Sequence, residues 1–492
     1  MFTNKINIEH DIKVFLIFKE SKLPKVPLSV KKDFENNDGI ISFYKNKKII
    51  ILVSLGKKNE LDIERLIEIV KNVKLYLKNY PNKIPLFFLE DYMIDDQIQL
   101  VKQNYYHFDY KSIKNNIKNN TKKGKNNTIK GKNNTIKGKN NTIKGKNNTK
   151  KGKNNTKNNT NNKFYIFLKN KTINTKDQDI MAESIELLKH LGDEPGNILT
   201  PKEYIKRIKS VCKEANLKVT IFDAKKLKKM GMNSILSVSK GSKFDGYLVE
   251  ISYLPLSNKE QPIVMVGKGI TFDTGGISIK SSKKLYEMKS DMIGSAIVLA
   301  AMRNASLMNL KQNVIGLLAI AENMPDSNAT RPGDVITSYS GKTIEVMNTD
   351  AEGRMVMADA LSYGMKFKPK LILDISTLTG QQWQMSCGLF GTIMGFNDKT
   401  IKKIIKIGKE TNDKLVEMPL YQEFINNTKS TIADVKNSEY KCGASTIHGG
   451  AFLSNFVDKD SDWIHLDVAG PAFKDERTNG YGVRLLTGII KS

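Results

Sequence analysis

Apolar residues in the first third of the chain fall into short runs separated by polar turns. "VFLIF" at 14–18, "IISFY" at 40–44, "KKIIILVSLG" at 47–56, "IPLFFLEDY" at 84–92 and "KFYIFLKN" at 163–170 each predict a strand. "ELDIERLIEIVKNVKLYLKN" at 60–79 instead spaces its apolar residues at the helical period. From about residue 177 the alternation lengthens. Helices are predicted at 179–191, 200–215 and 291–308, with Thr200 as N-cap and Pro201 in the first turn of the second. Strands are predicted at 262–270, 313–323 and 371–378. Strands alternating with helices argue for an α/β fold in which a mixed sheet is covered on both faces. The expected organisation is a small N-terminal α/β domain over 1–110 and 163–176. A larger C-terminal α/β domain over 177–492 follows, with a central mixed sheet flanked by helices.

Between the two halves of the small domain lies a repeat. "GKNNTIK" recurs every seven residues, with glycines at 124, 131, 138, 145 and 152. Each unit carries at most one isoleucine, so there is no coiled-coil seam to bury. With so little apolar surface to offset its ordering entropy, 111–162 is expected to be a disordered, low-complexity insertion. Its lysines explain most of the chain's basicity. Residues 111–163 hold 17 Lys and no acid, and removing them takes the net charge from +28 to +11. Such a segment attracts polyanions only weakly and with strong salt dependence. No run of about 18 apolar residues predicts a membrane span, and the N-terminus reads as a strand rather than a signal peptide. Three cysteines without CxxC spacing suit a reducing compartment, so a cytoplasmic location is expected.

Candidate chemistry sits in two stretches. "VGKGITFDTGGISIKSSKKLYEMKSD" at 266–291 runs from an apolar strand into Lys268, Asp273, Lys280 and Asp291, interleaved with glycines. "NTDAEGRMVMADAL" at 348–361 sets Asp350, Glu352 and Arg354 two residues apart, which an extended segment would point to one side. Taken singly, each stretch is also consistent with a glycine-rich turn carrying surface charges. Together, four carboxylates at strand ends repel unless cations neutralise them. An oxygen-rich cluster suits divalent metals.

These two stretches resemble the hallmark segments of the leucine aminopeptidase (cytosol aminopeptidase) family of dinuclear-metal exopeptidases. "GDEPGNILTP", "STLTG", "HLDVAGPAF" and "GYGVRLL" follow the family's order across most of 181–492. The resemblance implies one metal held by Lys268, Asp273, Asp291 and Glu352, and a second by Asp273, Glu352 and Asp350. It implies Lys280 as the group stabilising the oxyanion, and Arg354 as holder of a bicarbonate that acts as base. Two divalent ions, zinc or manganese, and bicarbonate are thus the implied cofactors. Met288, Thr377, Leu378, Gly380, Ala469 and Ala472 match positions around the substrate's first side chain, although for Met288 taken alone core packing is the favoured role. The implied activity is metal-dependent removal of N-terminal leucine, methionine and other apolar residues from peptides by a homohexamer. Thr274 and Ile293 depart from the family's usual serine and glycine, but neither is an implied ligand. The competing readings are a nucleic-acid-binding role, added to the enzyme rather than replacing it, and a phosphate-hydrolysing dinuclear enzyme. The absence of histidine ligands speaks against the second.

Overall fold

In this computed structural model, the structure describes residues 176–492 apart from 258, 440–442 and 475, and the backbone of five earlier strands. The helix expected at 60–79 and the repeat at 111–162 lie outside the described residues. The chain divides into two compact units, 1–175 and 176–492. In the first, β1 (Ile12–Ile17), β2 (Ile40–Lys45), β3 (Lys48–Ser54), β4 (Pro85–Leu89) and β5 (Tyr165–Leu168) form one sheet in the order β2-β3-β1-β4-β5. All pairs are parallel except β2 with β3.

The second unit is built on an eight-stranded mixed sheet. Its strands are β6 (Lys218–Phe222), β7 (Tyr247–Tyr253), β8 (Ile263–Asp273), β9 (Val314–Asn323), β12 (Leu371–Ser376), β13 (Gly391–Gly395), β14 (Leu415–Glu417) and β16 (Trp463–Asp467). The order is β14-β13-β16-β12-β8-β9-β7-β6. The four central strands, β16, β12, β8 and β9, run parallel, while β13 and β7 pair antiparallel to them. Parallel strands covered on both faces must be apolar throughout, and β9 is buried along its whole length. A separate small sheet holds β10 (Val335–Thr337), β11 (Thr343–Glu345) and β15 (Val435–Lys436).

The sheet separates two apolar cores. On one face the helix Ile293–Leu307 is buried nearly all round, against the helices Lys176–Asp193 and Val483–Lys491. Pro201–Glu214 begins as expected, with Thr200 Oγ1 accepting from Glu203 N. On the other face, the helix Glu352–Met365 packs with Asn233–Ser239. His465 is fully buried on β16 with Nδ1 2.5 Å from Asp374 Oδ1. No helix among the described residues is long and apolar enough to cross a membrane.

Candidate functional site

In parallel sheets, the carboxyl ends of the strands face a crevice in which ligands gather. Here four such ends converge. β8 delivers Lys268 and then Asp273, β9 ends on Asn323, β12 leads into Thr377, and β16 ends on Asp467. Asp291 follows a short 3₁₀ helix, Leu285–Ser290, just before the helix Ile293–Leu307.

The expectation that 350–354 is extended is corrected by the structure. Asp350 lies in a turn, and Glu352 and Arg354 occupy the first turn of the helix Glu352–Met365. The cause is local hydrogen bonding. Asn437 Oδ1 accepts from Met347 N and Asn348 N at 2.8 and 3.2 Å, while its Nδ2 donates to Asn348 O at 2.7 Å. Asn348 Oδ1 accepts from Asp350 N at 2.8 Å. These bonds curl the chain before a strand can continue. Glu352 and Arg354 therefore diverge: Glu352 faces Lys268, and Arg354 faces Asn437 and His448.

The two sequence stretches meet in one buried charge cluster. Lys268 Nζ lies 2.7 Å from Asp291 Oδ2, 2.8 Å from Asp291 Oδ1 and 2.9 Å from Glu352 Oε1, and it donates to Thr377 O at 3.1 Å. Lys280 Nζ lies 2.9 Å from Asp273 Oδ2 and 2.5 Å from Asp350 Oδ1. Ligand-capable oxygens of Asp273, Asp350 and Glu352 all lie within 4.8 Å of one another. Thr349 bolts the two loops together, donating from Oγ1 to Gly275 O at 2.6 Å and accepting from Ser278 N at 2.8 Å. Gly275 and Gly276 take φ of +88° and +66°, the left-handed conformation that glycine adopts without strain. Gly353 admits Lys268: a Cβ there would stand 2.5 Å from Lys268 Cε.

Four carboxylates against two ammonium groups leave this cluster short of positive charge. Burial raises the Asp291 pKa well above its usual range, against the pull of Lys268. Burial and the Asp273 charge lift Asp350 to about 7, opposed by Lys280. Burial works to lower both lysine pKa values, but the surrounding carboxylates outweigh it and raise them. Both Glu352 oxygens are buried without a hydrogen-bond partner; Oε1 has only the ion-pair contact with Lys268. A donor set of carboxylate oxygens and one amine, with buried oxygens unsatisfied, fits divalent cations.

Arg354 is buried beside the cluster. Its Nη1 donates to Asn437 O at 2.8 Å and lies 3.1 Å from His448 Nδ1, while Nε has no partner. Burial lowers its pKa to about 10, so it remains a cation near neutrality. Burial and the Arg354 charge push His448 down to about 4, so its imidazole is neutral.

Among the expected pocket residues, Thr377 touches the cluster directly, its Oγ1 donating to Asp291 Oδ1 at 2.8 Å. Leu378 packs toward Gly449 near Arg354. Gly380 is exposed, and Met288 and Ala469 are half-buried. Ala472 is buried in the core.

Asn323, Asn437, His448 and Asp467 are parts of the site that the sequence reading did not single out. Asn323 Nδ2 donates to Asp273 Oδ1 at 2.8 Å and orients that carboxylate. The one signal for it was its place at the end of an apolar strand, in the run "AEN".

The sequence pattern of the cytosol aminopeptidase family, catalytic domain, matches residues 186–487. A probable cytosol aminopeptidase of Phytoplasma mali is 42% identical over 330 residues, which are 64% of this chain and 65% of that one. The cytosol aminopeptidase of Pseudomonas aeruginosa is 41% identical over 321 residues, 64% of each chain. The match thus spans just under two thirds of these relatives' length. Among solved structures, the bottromycin maturation enzyme BotP in complex with Mn has a TM-score of 0.79 at 23% identity, covering 98% of this chain and 99% of that one, a likeness of fold. The chain belongs to the cytosol aminopeptidase family.

Proposed function

We propose that the protein is a metal-dependent aminopeptidase that removes N-terminal residues from peptides. The observation that carries this reading is the set of buried Asp273, Asp291 and Glu352 with half-buried Asp350, short of positive charge and with Glu352 oxygens unsatisfied. Lys268, Asp273, Asp291 and Glu352 would hold one divalent ion, and Asp273, Glu352 and Asp350 a second, zinc or manganese. When bound, the ions supply a Lewis acid and make water acidic enough to act as a nucleophile near neutral pH. Lys268 must give up its proton to serve as a ligand.

Lys280 is half-buried at the edge of the cluster and keeps its proton, so its ammonium stabilises the oxyanion that forms at the scissile carbonyl. Every acid of the cluster would serve as a ligand, and His448 Nδ1 lies 3.1 Å from Arg354 Nη1. On this reading the base would come from outside the chain. Arg354, with an unpartnered buried Nε, would hold bicarbonate for that role. Thr377, Leu378, Gly380, Ala469, Ala472 and Met288 would shape the site for the first side chain, with leucine and methionine preferred. A homohexamer in the cytoplasm is the expected form. The repeat that raised nucleic-acid binding lies outside the described residues, so that reading gains no support.

Hydrolysis of leucine amide by metal-stripped protein, with Mn²⁺, Zn²⁺, Co²⁺ or Mg²⁺ returned one at a time, tests the proposal. Activity should return with manganese or zinc; inactivity with every ion overturns it.

A further inference from the structure

We infer that Asp467 is a positioning residue: it clamps together the two segments that form the pocket for the substrate's first side chain, and so sets that pocket's selectivity. This inference rests on the aminopeptidase reading. Asp467 ends β16 and is fully buried. Its Oδ1 accepts the backbone N–H of Leu378 at 3.1 Å and that of Ala469 at 3.2 Å. Its Oδ2 accepts the hydroxyl of Thr379 at 2.7 Å. One carboxylate thus joins the segment bearing Thr377, Leu378 and Gly380 to the one bearing Ala469 and Ala472.

The other end of the first segment is tied to the charge cluster. Thr377 Oγ1 donates to Asp291, and Thr377 O accepts from Lys268. Leu378 therefore sits between two anchors, the cluster on one side and Asp467 on the other. The direction of its carbonyl and side chain follows from both. Thr379 carries the constraint further, since its Oγ1 also accepts from Gln382 N at 3.3 Å and caps the short helix Gly380–Ser386. Releasing Asp467 frees Leu378 and Ala469 while leaving the Thr377 anchor in place. The expected damage is to discrimination among first residues rather than to metal binding.

The hydrogen-bond pattern names a conservative rescue. In Asp467→Asn the amide oxygen can still accept both backbone N–H groups. Its nitrogen can donate to Thr379 Oγ1, whose own proton can turn to Thr446 Oγ1, 2.9 Å away. Asp467→Ala removes all three bonds, and Thr379→Val removes one.

The experiment uses the full chain loaded with manganese. It compares kcat/KM on leucine amide and glycine amide, with hydrogen exchange at the Leu378 and Ala469 amides. Asp467→Ala should cut the leucine-over-glycine ratio about tenfold, mainly through KM, and both amides should exchange faster. Asp467→Asn should restore most of the ratio and the protection, with Thr379→Val in between. The inference is overturned if Asp467→Ala keeps the ratio, or if the asparagine variant loses as much as the alanine one. If Asp467→Ala does not fold, a lower ratio in Thr379→Val than in Asp467→Asn supports the clamp, and equal ratios overturn it. If the unaltered protein cleaves neither amide, the aminopeptidase reading fails, and the exchange data alone decide whether the clamp exists.

Discussion

Lys268 Nζ stands within 2.9 Å of oxygens on both Asp291 and Glu352, a place that an ammonium or a metal could each neutralise. A lysine can serve both states because its amine deprotonates when a stronger cation arrives; a guanidinium cannot. Lys268→Arg should therefore lower metal-dependent hydrolysis about 100-fold or more, with metal titration showing fewer ions retained. The folded protein should remain, since the substituted cation still faces the same acids. His448 makes a separate prediction about pH. Its folded pKa, about 4, lies below its unfolded value of 6.5. The unfolded chain thus takes up a proton that the folded one refuses. Stability is fully present above pH 6.5 and is lost as pH falls toward 4, by about 3 kcal/mol. Denaturant melts of metal-stripped protein should show His448→Gln losing less stability than the parent between pH 7 and 4.5. An equal loss in both would contradict it. At this scale the sequence displayed its acids and lysines clearly, because two short stretches carry them all. Asn323, Asn437, His448 and Asp467 were not legible. Their roles arise from partners about 50 to 90 positions away, and an amide or imidazole in an apolar run carries no signal of which backbone it will bind.

The helix Glu352–Met365 carries both Glu352 and Arg354, so its placement decides where each points. It is fastened by Asp359, a fully buried carboxylate that accepts from Ile235 N at 3.0 Å and Tyr339 N at 2.7 Å. Asparagine at this position must turn its amide nitrogen toward one of those two donors. Asp359→Asn should destabilise the protein by about 1–3 kcal/mol, measured by thermal melting. No change in stability would mean that the helix is held by packing alone. Three of the four central strands, β8, β9 and β12, were readable because a strand buried on both faces writes a continuous apolar run. The peripheral strands were not. β6 and β14 are largely half-buried or exposed, leaving runs too short and mixed to separate from loops. The start of Glu352–Met365 was misread for another reason: alternation of charges resembles a strand until Asn437 curls the chain from outside.

Across the whole molecule, basicity and chemistry occupy different parts of the sequence. Residues 111–163 supply 17 of the positive charges, while every candidate ligand lies within 268–352. Composition alone predicts that excising 111–162 leaves the kcat/KM for leucine amide essentially unchanged. A large loss would give the repeat a part in the enzyme. The α/β organisation of the second unit was legible from alternating apolar runs, and the family from its motifs. What holds the two stretches together, Thr349 against Gly275 and Ser278, appears only in three dimensions. The central claim is that this cluster is a two-metal centre that drives peptide hydrolysis. Calorimetric titration of the metal-stripped protein with Mn²⁺, with leucine-amide hydrolysis followed at each addition, tests it most directly. The account predicts two ions bound per chain and activity rising as they bind; no stoichiometric binding, or hydrolysis undiminished in the stripped protein, would contradict it.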